Sequence, residues 1–254
     1  MNSTTETSVS SLFGVYLGIV SAIYLIPLFL GDMPAQFLSA STSLAIVAVP
    51  LFYSIARRRS FFAWGKNGVC KSPPGFSAGI CVLLFIAMFA STLGLSLLLA
   101  PVHRLFPGIS SGAMPRYEGF AVKFVLTALL PAICEELTFR GFFYFSLRRT
   151  MSNRKALILS SLLFAVLHPI PASLPGVFVA GLALGAAAGL TGSVVPSILM
   201  HVLHNSLLLA IVPVWSAMDP GVVEMLILLG AGFACCVIAW FAVKNRFSRT
   251  ASPS

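Results

Sequence analysis

The sequence predicts an all-α fold: a polytopic membrane helical bundle of about eight transmembrane helices, with both termini on the inner side (N-in, C-in). Three observations carry this. Of 254 residues, 58% are hydrophobic and only 9% are charged, against about 25% charged in a soluble domain, and the mean hydropathy is +0.97. Apolar runs of about twenty residues recur along the chain, each long enough to cross a ~30 Å hydrocarbon core. The basic residues cluster beside alternate runs, as topology signals do.

The runs cover roughly 10–31, 36–56, 76–101, 119–146, 155–170, 174–191, 194–214 and 222–243. The first follows a Ser/Thr-rich start without a basic region, so it reads as a full span and not as a cleaved secretory leader. The second ends at Arg57-Arg58-Arg59, and the third and fourth are long apolar stretches. The fifth and sixth are short and joined by Pro169-Ile-Pro171-Ala-Ser-Leu-Pro175-Gly176. Three prolines exclude helix there, so the pair is expected to form a tight hairpin, with His168 closing the fifth run. The sixth carries Gly181, Gly185 and Gly189 among alanines, a ridge that lets helices approach backbone to backbone and holds the hairpin against its neighbours. The seventh and eighth complete a single integral-membrane domain spanning 1–254.

Charge fixes the orientation. Arg57, Arg58, Arg59, Lys66, Lys71, Arg148, Arg149, Arg154, Lys155, Lys244, Arg246 and Arg249 are twelve of the sixteen basic residues, and N-in topology places all of them inside. Arg104, Arg116, Lys123, Asp32, Glu118, Asp219 and Glu224 then fall outside, and an even number of spans returns the C-terminus inside. A net charge of +9 so divided among juxtamembrane loops serves topology and anionic lipid, which excludes nucleic acid as a partner. Cys70, Cys81, Cys134, Cys235 and Cys236 form no CxxC motif and have no metal-ligand spacing.

Three polar clusters interrupt the apolar runs: Glu135-Glu136-Leu-Thr-Phe-Arg140, Phe164-Ala-Val-Leu-His168 and His201-Val-Leu-His204-Asn205. An ionisable group at membrane depth costs about 2.5–3.5 kcal/mol on insertion scales, so such groups persist when they pair, line a wet cavity or do chemistry. Glu136 and Arg140 are four apart, the spacing at which helical side chains meet. Glu135 points about 100° away, which leaves it for other work, as a base for water. His201 and Asn205 are again four apart, and their N–H groups suit an oxyanion or a polarised carbonyl. The same groups suit zinc, although HExxH is absent and the ligands would come from three helices. His204 is offset, either a supporting partner or a polar residue facing a water-filled cavity.

The motifs Glu135-Glu136-x-x-Phe139-Arg140-Gly141, Leu163-Phe164-x-x-x-His168 and His201-x-x-x-Asn205 resemble those of the CPBP family, the CAAX-processing and bacteriocin-processing (Abi) intramembrane proteases. The approach to the third motif, Gly181-Leu-x-Leu-Gly185 through Thr191-Gly192-Ser193, is similar as well. The resemblance covers about residues 120–210, with the catalytic core at about 119–214. It implies Glu135 as the residue that activates water, assisted by His168. It implies His201 and Asn205 as the oxyanion pair, and Glu136 with Arg140 as the supporting pair.

The expected activity is therefore hydrolysis of a peptide bond in a membrane-associated substrate: a precursor leader, a C-terminal anchor tail or a prenylated tail. No cofactor is expected; the alternative is a divalent metal such as zinc, held by Glu135, His168 and His201. The competing functions are a non-catalytic bacteriocin-immunity protein and a proton-coupled transporter, although the repeats expected of a transporter are absent. The short loops and small size point to a multi-pass protein of a prokaryotic cytoplasmic membrane.

Overall fold

The computed structural model describes residues 8–58, 61, 74–105, 117, 119–168, 170, 173–217 and 221–249. Arg59, Lys66, Cys70, Lys71, Arg116, Glu118, Pro169, Pro171 and Asp219, named above, lie outside them. Eight helical runs make up the described residues: α1 (Val9–Leu30), α2 (Ala35–Ala56), α3 (Pro74–Leu105), α4 (120–150), α5 (Asn153–Val166), α6 (Leu174–Thr191), α7 (Val195–Ala217) and α8 (Val222–Arg249). Five stretches are each long and apolar enough to cross a membrane: Val9–Leu30, Ala35–Ala56, Ala78–Leu99, Leu174–Thr191 and Val222–Phe241. The chain is thus an integral membrane protein. At 14 residues, α5 is only ~21 Å long, well short of a ~30 Å core.

The helix boundaries follow local chemistry. Ser8 caps α1 by accepting the Ser11 N–H at 3.2 Å, filling one of the four donors a helix start leaves open. α5 stops at Val166, not at 170, so His168 sits just beyond its end. The connection is shorter than the prolines imply. Leu174, Pro175 and Gly176 already belong to α6, because proline lacks only an N–H that the first helical turn does not use. α6 closes at Gly192, whose φ of 69° is left-handed and whose N–H returns to Ala188 O at 2.8 Å.

α4 differs most from a regular helix. Two wide π-type segments, Phe124–Leu129 and Leu137–Tyr144, flank the α-helical stretch Leu130–Glu136. Such turns are rare and gather at functional sites. One cause is visible in the sequence. Pro131 has no N–H to give the carbonyl four residues back, and that carbonyl, Thr127 O, instead accepts from the side chain of Asn205 at 3.3 Å.

α1 packs on α2, α5 on α6, and α3 lies between α6 and α8. The α3–α8 seam is close: a Cβ on Gly94 would meet Leu229, and one on Gly232 would meet Ser91. A core of Phe139, Phe142, Phe143, Tyr144 and Phe164, joined by Tyr16 and Ile19 of α1, fills the space around α4. Two hydrogen bonds lock it, Tyr16 Oη to Leu163 O at 3.1 Å and Thr138 Oγ1 to Ile46 O at 2.9 Å.

Candidate active site

At the centre is a buried ion pair. Glu136 and Arg140 are 0% and 1% exposed, and Arg140 Nη1 donates to Glu136 Oε1 at 2.7 Å. The guanidinium has two further supports. Nη2 donates to Gly181 O on α6 at 3.0 Å, and its plane lies 4.5 Å from the centre of the Phe164 ring. A charge in a low-dielectric interior needs such paired contacts.

The same Glu136 oxygen has a second partner. His201 Nδ1 lies 2.9 Å from Oε1, across 65 residues of sequence. Glu136 faces a guanidinium and offers only acceptors, so Nδ1 donates. The other edge of the ring faces Glu135, with Nε2 at 3.9 Å from Oε2. The Glu135 side chain keeps 13% exposure where Glu136 has none. One carboxylate is sealed behind the imidazole and the other reaches open space in front of it. The Glu136–Arg140 contact is the one their four-residue spacing leads to, whereas the tie between Glu136 and His201 lay outside that expectation.

His168 is not in direct contact with this set. Its Nδ1 lies 3.0 Å from Phe164 O, so Nδ1 donates and Nε2 is left free. Its ring stacks edge-on against Phe164 at 4.9 Å, and Phe164 packs against His201 at 5.9 Å. Phe164 therefore touches Arg140, His168 and His201 together. Phe164 stands in the second motif, where no role of its own was expected of it. Its signal was available: a large aromatic four residues before a histidine, on the face of a helix that must meet the Glu-Glu segment.

Asn205 shares the α7 face with His201, but one of its two amide hydrogens is spent on Thr127 O. His204 turns toward α3, edge-on to Phe89 at 5.7 Å, and among the described residues its buried Nδ1 has no hydrogen-bond partner. Glu136 Oε2 and Ser161 Oγ are likewise buried without a partner among the described residues. Cys134 is buried beside the pair as a free thiol.

Among the described residues no group of three His, Cys, Asp or Glu side chains is close enough to hold a metal ion. The zinc set of Glu135, His168 and His201 is therefore not assembled in this geometry. On the face of α7 turned away from His201, between α3 and α7, runs an apolar groove of about 540 Å³ walled by Cys81, Phe85, Leu199, Met200 and Leu203.

The glycine ridge of α6 acts as a close-approach surface. A Cβ on Gly181 would meet Ser161 and Phe164, one on Gly185 would meet Leu157, and one on Gly189 would meet the Tyr144 hydroxyl. It brings α6 near enough for a backbone carbonyl to reach Arg140.

No curated protein and no solved structure matches the chain. Residues 117–207 match the family model described as Type II CAAX prenyl endopeptidase Rce1-like. That segment contains Glu135, Glu136, Arg140, His168, His201 and Asn205, so the part of the chain that carries the cluster is similar to that family of membrane proteases.

Proposed function

We propose that the protein is a glutamate-type intramembrane endopeptidase. The observation that carries this is the facing pair Glu135 Oε2 and His201 Nε2, 3.9 Å apart and backed by a sealed Glu136–Arg140 pair. Glu135 takes a proton from a water molecule, the remaining hydroxide forms the bond to the scissile carbonyl carbon, and the carbonyl π pair moves onto oxygen. When the intermediate collapses, the C–N bond breaks and the amine nitrogen takes the proton back from Glu135. His168, whose free Nε2 lies across Phe164, assists in holding the water. Asn205 keeps one N–H for the oxyanion. His201 joins Asn205 in that task only when its Nε2 carries a proton.

The substrate is a membrane-associated peptide: a precursor leader, an anchor tail or a prenylated tail. The exposed basic residues Arg57, Arg58, Arg148, Arg154 and Lys155, together with Lys244, Arg246 and Arg249, orient the protein with both termini inside a prokaryotic cytoplasmic membrane.

The test is cleavage of a candidate membrane peptide by purified, detergent-solubilised protein, with and without chelator. Glu135→Ala and His168→Ala should be folded, the first inactive and the second strongly impaired. A folded, fully active Glu135→Ala protein sinks the reading. Loss of wild-type activity to chelator and its return with zinc would replace it by the metal-dependent form on Glu135, His168 and His201.

A further inference from the structure

We propose that the outward face of α5 is a docking site for one anionic phospholipid, its phosphate held by Arg148, Arg154 and Lys155 and an acyl chain lying along Ile158, Leu162 and Val166. The site is independent of the protease reading. It occupies the side of α5 opposite the one that presents Phe164 to the catalytic cluster.

The charge comes first. Arg148 and Arg149 end α4, Arg154 and Lys155 begin α5, and all four are exposed. The protein offers them little in return. Of its seven acidic residues, Glu135 and Glu136 belong to the catalytic cluster. Asp32, Glu118, Asp219 and Glu224 fall on the opposite side of the membrane in the charge pattern, and the seventh is Glu6, near the N-terminus. Among the described residues no carboxylate pairs with Arg148, Arg154 or Lys155. Arg154 and Lys155 also stand in the first turn of α5, where the helix macrodipole is itself positive. Cations gathered in this way are stabilised by an anion from outside the chain.

The turn between the two helices is held in shape. Tyr144 Oη donates to Asn153 Oδ1 at 2.7 Å, which ties the end of α4 to the start of α5. The Arg148 guanidinium rests over the Tyr144 ring at 5.5 Å and the Phe145 ring at 5.8 Å. That contact fixes its place and leaves N–H donors for a phosphate.

The apolar half identifies the ligand as a lipid. Lys155, Ile158, Leu162 and Val166 follow at intervals of three and four, so they share one face of α5, and all are exposed. Phe164 lies nine residues, or two and a half turns, beyond Lys155 and therefore points the other way. The row from Lys155 to Val166 rises ~17 Å, close to the ~15 Å depth of one leaflet. Basic groups at the head of an apolar row of that length match a phospholipid, and the unbalanced positive charge selects an anionic one over a zwitterionic one.

The test uses protein stripped of lipid in a nonionic detergent. Phosphatidylglycerol or phosphatidylcholine is added in mixed micelles, with inorganic phosphate as a probe that has no chain. Thermal unfolding reports binding, and native mass spectrometry counts the lipid retained. Phosphatidylglycerol should raise the unfolding midpoint saturably and remain as one bound molecule, whereas phosphatidylcholine and inorganic phosphate should do neither. Arg154→Gln/Lys155→Gln should weaken phosphatidylglycerol binding about 30-fold, from roughly fivefold per basic residue, and Arg148→Gln alone about fivefold. Without lipid the double variant should melt no lower than wild type, because the charges it loses face a positive helix end. Arg57→Gln/Arg58→Gln removes the same charge from another connection and should leave the affinity near that of wild type. Undiminished affinity in Arg154→Gln/Lys155→Gln overturns the proposal. So does an equal loss in both double variants, which means a diffuse surface potential, or a shift reproduced by inorganic phosphate, which means a site for a free anion.

Discussion

Adding one methyl group to α6 should disable the site without touching any charged residue. A Cβ on Gly181 would stand 3.0 Å from Ser161 Cβ, 3.2 Å from Ser161 Cα and 3.3 Å from Phe164 Cδ1. Carbon atoms rest at about 3.5–4.0 Å, so α6 and α5 must part by roughly half an ångström or more. Ser161 Cα is backbone and cannot rotate aside. Two site contacts move with that shift: Gly181 O, which holds Arg140 Nη2 at 3.0 Å, and Phe164, which touches His168 and His201. Overpacking costs about 1–3 kcal/mol, offset by about 1 kcal/mol because alanine favours helix over glycine. A net loss of roughly 0–2 kcal/mol leaves the protein folded. Displacement on this scale can nevertheless slow a reaction by about 10²-fold.

Gly185→Ala is the matched control, since it adds the same methyl to the same ridge one turn later. Its Cβ would meet the terminal methyl of Leu157 and, at 3.9 Å, Ser161 Oγ. A leucine side chain can change rotamer, so this variant should keep near-normal activity and melt no lower than wild type. Both proteins are measured by thermal unfolding in detergent and by initial rates on one peptide. If Gly181→Ala cleaves as fast as Gly185→Ala, the link from ridge to Arg140 to site is wrong.

Three further outcomes follow from the same contacts. Arg140→Met leaves Glu136 buried without its guanidinium and should cost about 3–5 kcal/mol in denaturant unfolding, most of which Glu136→Met/Arg140→Met should restore; a double variant as unstable as the single would contradict this. Asn205→Ala should cost about 1 kcal/mol in the native chain but almost nothing beside Pro131→Ala, which gives Thr127 O an N–H of its own; additive losses in unfolding would show that proline does not free that carbonyl. Gly189→Ala should destabilise by about 1–3 kcal/mol because its Cβ collides with the Tyr144 hydroxyl. Tyr144→Phe loses the 2.7 Å bond to Asn153, about 1 kcal/mol, and Gly189→Ala made in that background should melt no lower than Tyr144→Phe alone.

Much of this arrangement was legible in the chain because it rests on local spacing. Apolar runs located the helical stretches to within about six residues at either end, and five of them are long and apolar enough to cross a membrane. The Glu136–Arg140 contact survived the wide turn that begins at Leu137, because residues four apart remain neighbours whether a turn holds 3.6 residues or slightly more. The ridge on α6 was readable because small residues at a four-residue interval have few other uses. The end of α5 was misplaced because apolar residues continue at Leu167 and Ile170 after the helix has stopped at Val166. The first π segment of α4 escaped notice because it adjoins a trade between Pro131, Thr127 and Asn205, of which the last lies on another helix. The Glu136–His201 bond joins residues 65 apart, and no pattern in one sequence marks which of two adjacent carboxylates an incoming ring will bind.

That bond explains why two adjacent glutamates are useful here. Neighbours on a helix diverge by about 100°, so both reach a single imidazole only when the ring is inserted between them. α7 must then approach α4 closely, and the approach is held one turn further along by Asn205 on the carbonyl that Pro131 leaves open. His201 and Asn205 are four apart for a structural reason as well as a chemical one: the first engages α4 at its carboxylates, the second at its widened turn. A residue with an N–H at position 131 would compete with Asn205 for Thr127 O and weaken the anchor that sets the ring between Glu135 and Glu136. The carbonyl that Pro131 frees and the Glu-Glu step thus belong to one arrangement, in which Asn205 and His201 anchor α7 on α4 and the histidine separates the two carboxylates into a buried partner and a partly exposed one.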